Sequence, residues 1–214
     1  MRILKEGFPF IFPPCLVGLA LIIIVQIRCT CYSLPVLILF QGIGALLILF
    51  ACFCMYFFRD PKITISAEPN AVLSPCNGTV MEIEETDSEK IIRVFLSIFS
   101  VHLQRAPVNG IITEVKHTDG KFLAAWNPQA HILNEQNTFT IQGPDGIYTV
   151  RQVAGFLARR CVSWVKAGEA LKAGDKIGMI KFSSQVDLHM PKTITVTVRK
   201  GEKVRAGITI AGKR

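Results

Sequence analysis

Along the chain, apolar and polar positions fall into two regimes. Residues 8–27 form a near-continuous apolar run of about twenty, interrupted only by Pro9, Pro13, Pro14 and Gln26. Residues 34–58 form another of about twenty-five, interrupted by Pro35 and Gln41. Each is long enough for a helix that crosses a bilayer, and Arg28-Cys29-Thr30-Cys31-Tyr32-Ser33 leaves room only for a turn, so the pair predicts a helical hairpin. The prolines crowded into the first run also permit a broken, re-entrant element. A cleaved signal peptide is disfavoured, because the second run follows at once and no small-x-small site is well placed.

From Ala71 the pattern changes to short runs rich in Val, Ile, Thr and Phe, punctuated by Gly, Pro, Asn and Asp. The spacing predicts strands over 79–84, 91–98, 110–116, 138–142, 147–153, 176–182 and 193–198. Gly143-Pro144-Asp145-Gly146 joins two alternating runs as a hairpin turn, and the chief helical candidate, 154–160, is short. The glycine-punctuated stretch 165–178, echoed weakly by 198–207, reads as tight turns of a barrel-like sheet. The fold expected is an N-terminal transmembrane helical hairpin over 1–60, followed over 61–214 by a β-rich α+β single domain with a barrel-like, glycine-punctuated sheet.

Half of the 214 residues are hydrophobic, and nearly all of the excess precedes Arg59. That excludes a disordered chain, and the mixed remainder, large enough for one core, excludes a purely membranous protein. The formal net charge is +8, yet the basic residues are scattered, with no run longer than a pair such as Arg159-Arg160. A nucleic-acid partner is therefore not expected; 21 basic against 15 acidic residues from Arg59 onward leave +6 to meet an anionic leaflet. Arg2 and Lys5 flank the first run, Arg59 and Lys62 the second, and Arg28 alone sits in the turn, which predicts that both ends and the domain after Arg59 lie on the cytoplasmic side of the cell membrane. Seven cysteines, five of them in or between the apolar runs, make no disulfide framework. Cys29-x-Cys31 and Cys52-x-Cys54 lack metal-site spacing, so no metal is expected.

The sharpest local feature is Ser183-Ser184, which interrupts an otherwise apolar strand pattern between Gly178 and Leu188. A serine hydroxyl held against the preceding carbonyl can attack it, turn the amide into an ester, and lose that ester by β-elimination; hydrolysis of the dehydroalanine then leaves a pyruvoyl group. A serine pair in a bulge or turn fits the same spacing.

Ordered phrases then narrow the choice. They are Phe57-Phe58-Arg59-Asp60-Pro61, Leu73-Ser74-Pro75-Cys76-Asn77-Gly78, the stretch from Phe95 to Gly110 containing Val101-His102-Leu103-Gln104-Arg105-Ala106-Pro107, Gly120-Lys121-Phe122, Asn134-Glu135-Gln136-Asn137, Gln152-Val153-Ala154-Gly155, and the serine segment. Along nearly its whole length the chain resembles the short, membrane-anchored phosphatidylserine decarboxylases. The resemblance implies a proenzyme that cuts itself between Ser183 and Ser184 into a β chain, 1–183, and an α chain, 184–214, which stay associated. Ser184 becomes the covalent pyruvoyl cofactor that forms a Schiff base with the serine phospholipid substrate, and Ser183 precedes the cleaved bond. His102 falls on the family's histidine motif as acid/base, while Arg105, Lys121, Arg159 and Arg160 are candidates to bind the anionic headgroup.

The chain departs from the family at Asn77, where Asp is usual; an amide orients an imidazole but stabilises its charged form less. Ser100 stands where many short members carry Asp, Arg105 where the larger bacterial form has a second histidine, and Ser183 where Gly is common. Asp187 and Glu135 are further candidate carboxylates. Two alternatives follow: the same chemistry on an ether-linked, archaeal-type serine phospholipid, and a non-processing membrane-anchored adaptor. Homo-oligomers are compatible with either.

Overall fold

Leu, Ile and Phe side chains cover the two apolar runs, and a helix is the backbone form that satisfies its own N–H and C=O groups within such a run. The computed structural model describes residues 2–27, 33–123, 129–155, 160–181 and 184–214. In it α1 is Phe8–Ile27 and α2 is Leu34–Phe57. α1 continues through Pro13 and Pro14, which fall in its second turn, so the re-entrant break is not adopted. Ser33 starts α2 with extended backbone, and Pro35 lies in the first turn, where its missing N–H breaks no ladder bond.

The two helices meet at glycines. A Cβ on Gly18 would lie 2.7 Å from the Gly44 carbonyl oxygen, and one on Gly44 would lie 2.9 Å from that of Gly18, so only glycine lets the backbones approach this closely. At the open end, β1 (Arg2–Ile3) pairs antiparallel with β2 (Arg59–Asp60). The Leu4 N–H donates to the Phe58 carbonyl at 2.9 Å. The Phe10 and Phe58 rings stack with centroids 5.7 Å apart. The chain divides into two compact units, Met1–Pro61 and Lys62–Arg214.

The second unit is built from β3 (Ala71–Leu73), β4 (Gly78–Glu85), β5 (Glu89–Leu96), β6 (Leu103–Arg105), β7 (Gly110–Thr118), α3 (Ala130–Leu133), β8 (Gln136–Gly143), β9 (Gly146–Ala154), β10 (Arg160–Ser163), β11 (Ala170–Leu171), β12 (Lys176–Lys181), β13 (Ser184–Pro191), β14 (Thr195–Val196), β15 (Lys203–Val204) and β16 (Ile210–Lys213). An eight-stranded antiparallel sheet runs β11-β7-β8-β9-β13-β5-β4-β15; among the described residues its outer strands pair no further, so the sheet is curled and open rather than a closed barrel. Two three-stranded sheets, β10-β12-β6 and β14-β16-β3, complete the unit. β8 and β9 form the expected hairpin, with Gly143 opposite Gly146.

Strand alternation separates the two faces of the large sheet. Val186, Leu188 and Met190 of β13 join Ile92, Val94, Phe139, Ile141 and Val150 in the buried core. The opposite positions carry charge: Asp187 stands between Arg93 of β5 and Arg151 of β9. Glycine turns are needed at Gly174 and Gly207, with φ of 89° and 71°, where a Cβ would also lie 2.6 and 2.9 Å from Ile65.

The helix expected over 154–160 is not formed at either end. Ala154 closes β9 opposite Ser184, and Arg160 opens β10 opposite Lys181, because sheet partners distant in sequence claim both backbones. Residues 156–159 lie outside the described residues.

Candidate active site

Ser184 stands at the head of the strand that follows a change of sheets. β12 belongs to a three-stranded sheet and β13 to the eight-stranded one, and Ser184 heads β13 with Leu96 on one side and Ala154 on the other. Ser183 lies outside the described residues, as does Arg159.

His102 precedes β6, which pairs with β12. Its carbonyl oxygen accepts the Ile180 N–H at 3.1 Å, tying it to the strand that leads into the serine pair. The imidazole is buried, with Nδ1 2.9 Å from the Ser100 carbonyl oxygen. A carbonyl only accepts, so Nδ1 carries the proton and Nε2 is the basic nitrogen of the neutral ring.

From His102 a line of side-chain amides crosses the core. Gln104 Nε2 donates to the His102 carbonyl at 2.9 Å. Gln152 Nε2 donates to Gln104 Oε1 at 2.7 Å, and Asn137 Nδ2 to Gln152 Oε1 at 3.1 Å. His117 Nδ1 stands 2.7 Å from Asn137 Oδ1, and its Nε2 3.2 Å from Asp119 Oδ1. With oxygen at both ring nitrogens, His117 is held above the usual histidine range, chiefly by the bond to Asn137. None of these three amides was singled out from the sequence. The signal was present, since Gln152 and Asn137 occupy the same strand parity as the buried Val150 and Phe139.

The other expected residues are dispersed. Asn77 is half-buried, and its Oδ1 accepts the Ala206 N–H at 2.8 Å. Arg105 is buried, with Nη1 donating to the Gly174 carbonyl at 2.7 Å. Lys121 is exposed, and its backbone N–H donates to the Leu133 carbonyl at 2.6 Å. That segment is clamped by the buried Asn134, whose Oδ1 accepts the Leu123 N–H and whose Nδ2 donates to the Leu123 carbonyl, each at 2.8 Å, and to the Ala154 carbonyl at 2.7 Å. Ala154 is the residue opposite Ser184, so Lys121 is attached to the strand beside the serine. Arg160 faces Lys181 across β10 and β12, a like-charged cross-strand pair; Lys181 was not singled out from the sequence. Glu135 Oε1 accepts the Cys161 N–H at 3.2 Å. Burial first, then the charge of Glu135, pushes the Cys161 thiol up to about 12, so it stays protonated.

Asp187 lies on the charged face of the sheet, away from the amide line. Its oxygens accept from Arg151 Nη2 at 3.0 Å and Gln185 Nε2 at 2.6 Å, while Arg93 reaches Glu82 and Glu84 at 2.8 and 2.7 Å. Among the described residues no group of three or more His, Cys, Asp or Glu side chains is arranged to hold a metal ion.

A sequence profile of phosphatidylserine decarboxylase matches residues 50–212. Similar proteins include the phosphatidylserine decarboxylase proenzymes of Carboxydothermus hydrogenoformans, 41% identical over 80% of this chain and 84% of that one, and of Symbiobacterium thermophilum, 36% identical over 99% and 95%. The proenzyme of Burkholderia ambifaria is 42% identical over 74% and 77%. These matches set the β-rich domain among the carboxy-lyases made as proenzymes. The chain belongs to the phosphatidylserine decarboxylase family.

Proposed function

We propose that the chain is a self-processing proenzyme whose mature form decarboxylates phosphatidylserine to phosphatidylethanolamine at the cytoplasmic face of the cell membrane. The Ser184 hydroxyl attacks the Ser183 carbonyl to turn the amide into an ester; β-elimination frees the Ser183 carboxylate, and water then displaces the remaining nitrogen as ammonia, leaving chains 1–183 and 184–214, the second beginning with a pyruvoyl group. The observation that carries the reading is the position of residue 184, the first of a strand hydrogen-bonded on both sides and placed directly after the change of sheets. Bonds of β13 to β5 and β9, of β15 to β4 and of β16 to β3 would keep the two chains together once the bond is cut.

The residues around this position suit a pyruvoyl group: the backbone of 184 is fixed between Leu96 and Ala154, both buried and apolar. When formed, the group supplies a carbonyl sink for the electron pair released as carbon dioxide departs. His102 Nε2 takes and returns the proton, its tautomer set by Ser100. Lys121, Arg160 and Lys181 offer cations to the phosphate and carboxylate of the headgroup.

The anchoring follows from the first unit. At about 1.5 Å per residue, α1 and α2 each reach the roughly 30 Å of a bilayer core, and outward residues such as Leu16, Ile27 and Leu46 are about two-thirds exposed, at 66%, 71% and 66%. Pairing of β1 with β2 puts both hairpin ends on one side, where Arg2, Lys5 and Arg59 favour the cytoplasm.

Full-length protein in detergent, mixed with phosphatidylserine vesicles, is expected to release carbon dioxide and form phosphatidylethanolamine. Consumption of an ether-linked serine phospholipid alone would move the substrate to that class, and consumption of neither would contradict the reading.

A further inference from the structure

Gln104, Asn137 and Gln152 sit where strand alternation and burial call for Val or Ile. Their exposures are 0, 4 and 0%, and their parity neighbours Phe139, Ile141, Tyr148 and Val150 are all core residues. A buried amide is tolerated only when hydrogen-bonded, and a satisfied buried polar network is often no more stable than a well-packed apolar one. Core stability therefore does not explain three of them in one line.

The direction of the line is determined at one end. The His102 carbonyl oxygen can only accept, so Gln104 turns its NH2 toward it and its oxygen toward Gln152; Gln152 and Asn137 must follow suit, and His117 Nδ1 must donate. Reversing any amide would set oxygen against oxygen. The His102 carbonyl thus receives two donors, Gln104 Nε2 at 2.9 Å and the Ile180 N–H at 3.1 Å, while the imidazole is held separately by Ser100. Backbone and ring at His102 are fixed independently.

The other end of the Gln104–Gln152 pair is docked at the serine. Gln152 is opposite Val186 on β9, and two residues on, Ala154 is opposite Ser184. Gly178 of β12 leaves the space this requires, since a Cβ there would lie 2.9 Å from Gln152 Nε2 and collide with the Val162 carbonyl. One hydrogen bond between two side chains 48 positions apart in sequence therefore joins the His102 segment to the strand that holds Ser184.

We infer that Gln104 and Gln152 are positioning residues, whose mutual hydrogen bond sets His102 relative to the head of β13 for both self-cleavage and decarboxylation. This rests on Ser184 and His102 having the roles proposed above. Neither amide is assigned to touch substrate; each acts through the peptide of His102.

The test uses full-length protein in detergent and three readouts: the rate of self-cutting, kcat and KM on phosphatidylserine, and the thermal midpoint. Gln104→Leu is expected to slow self-cutting and to lower kcat at least tenfold with KM within twofold of wild type. In Gln104→Leu/Gln152→Leu the two facing positions are both apolar, so the thermal midpoint is expected to recover in part, Asn137 Nδ2 having lost its Gln152 acceptor, while kcat stays low. Gln104→Glu supplies a conservative rescue: only its protonated acid can donate to the His102 carbonyl while accepting from Gln152, so its kcat relative to wild type is expected to fall as pH rises. Should the single variant fail to fold, the double variant carries the comparison. Activity that tracks the thermal midpoint across all variants, or a Gln104→Glu pH profile superposing on wild type, would overturn the positioning role. A wild-type chain that neither cuts itself nor decarboxylates would instead overturn the roles of Ser184 and His102, and the inference with them.

Discussion

Arg151 and Asp187 face one another across β9 and β13, with Nη2 3.0 Å from Oδ2 and the carboxylate wholly buried. Arg93 stands opposite the same aspartate on the other side, so one buried negative charge lies between two cations on the face of the sheet that the core does not use. Removing it would leave both guanidiniums without that charge inside the fold. Asp187→Ala is therefore expected to lower unfolding stability by about 3–5 kcal/mol, the usual penalty for breaking one side of a buried pair. Chemical denaturation of the detergent-solubilised protein checks this, and a loss under about 1 kcal/mol would show the carboxylate to be dispensable.

The same reasoning applies to a neutral group at Asn134, whose buried carboxamide makes three backbone hydrogen bonds, two to Leu123 and one to Ala154. Asn134→Leu should destabilise by about 1–3 kcal/mol, because the Leu123 and Ala154 groups lose their partner. Hydrogen exchange at Leu123 is expected to accelerate; unchanged protection there would mean that the clamp does not hold the Lys121 segment.

His117 makes stability depend on pH. Its bond to Asn137, then those to Asp119, raise its folded-state value, so the protonated ring binds its proton more tightly folded than unfolded. That contribution is fully present below the unfolded value of about 6.5 and is lost as pH rises through the higher folded value. The difference in thermal midpoint between wild type and His117→Gln should accordingly be larger at about pH 5.5 than at about pH 8.5, roughly one unit below and two above the unfolded value. Because the side chain is 49% exposed, the effect is small and weakens with salt. An equal difference at both values would place the proton elsewhere.

The glycine contact of the hairpin gives a prediction about the first unit. On Gly44 a Cβ would lie 2.8 Å from Ile22 Cγ1 as well as 2.9 Å from the Gly18 carbonyl oxygen. Gly44→Val should push α1 and α2 apart, read as a longer distance between spin labels at Val17 and Leu46. An unchanged distance would show that the helices do not meet there.

What could be read in the sequence was what depends on near neighbours. The two apolar runs, the alternation on either side of Gly143 and Gly146, and the turn glycines Gly174 and Gly207 each carry their reason within a few residues. The 154–160 segment misled because Ala154 and Arg160 are claimed by Ser184 and Lys181, strands that local propensity does not see. Ser184 and His102 stood out through chemistry and resemblance, while Gln104, Asn137 and Gln152 lay within the phrases that carry the resemblance with no role attached to them. Only the register of β8, β9 and β13 puts them inside the core and in line, and only that register separates Asp187 from the amide line.

Self-cleavage of the backbone before Ser184 is read from the intact masses of the purified full-length protein under denaturing conditions. Two chains dividing at Ser183–Ser184 are expected, the smaller lacking a free amine and carrying the mass of a pyruvoyl group, with Ser184→Ala remaining one chain. A wild-type protein that stays whole in the presence of phosphatidylserine vesicles, or a Ser184→Ala variant that divides at the same bond, would contradict it.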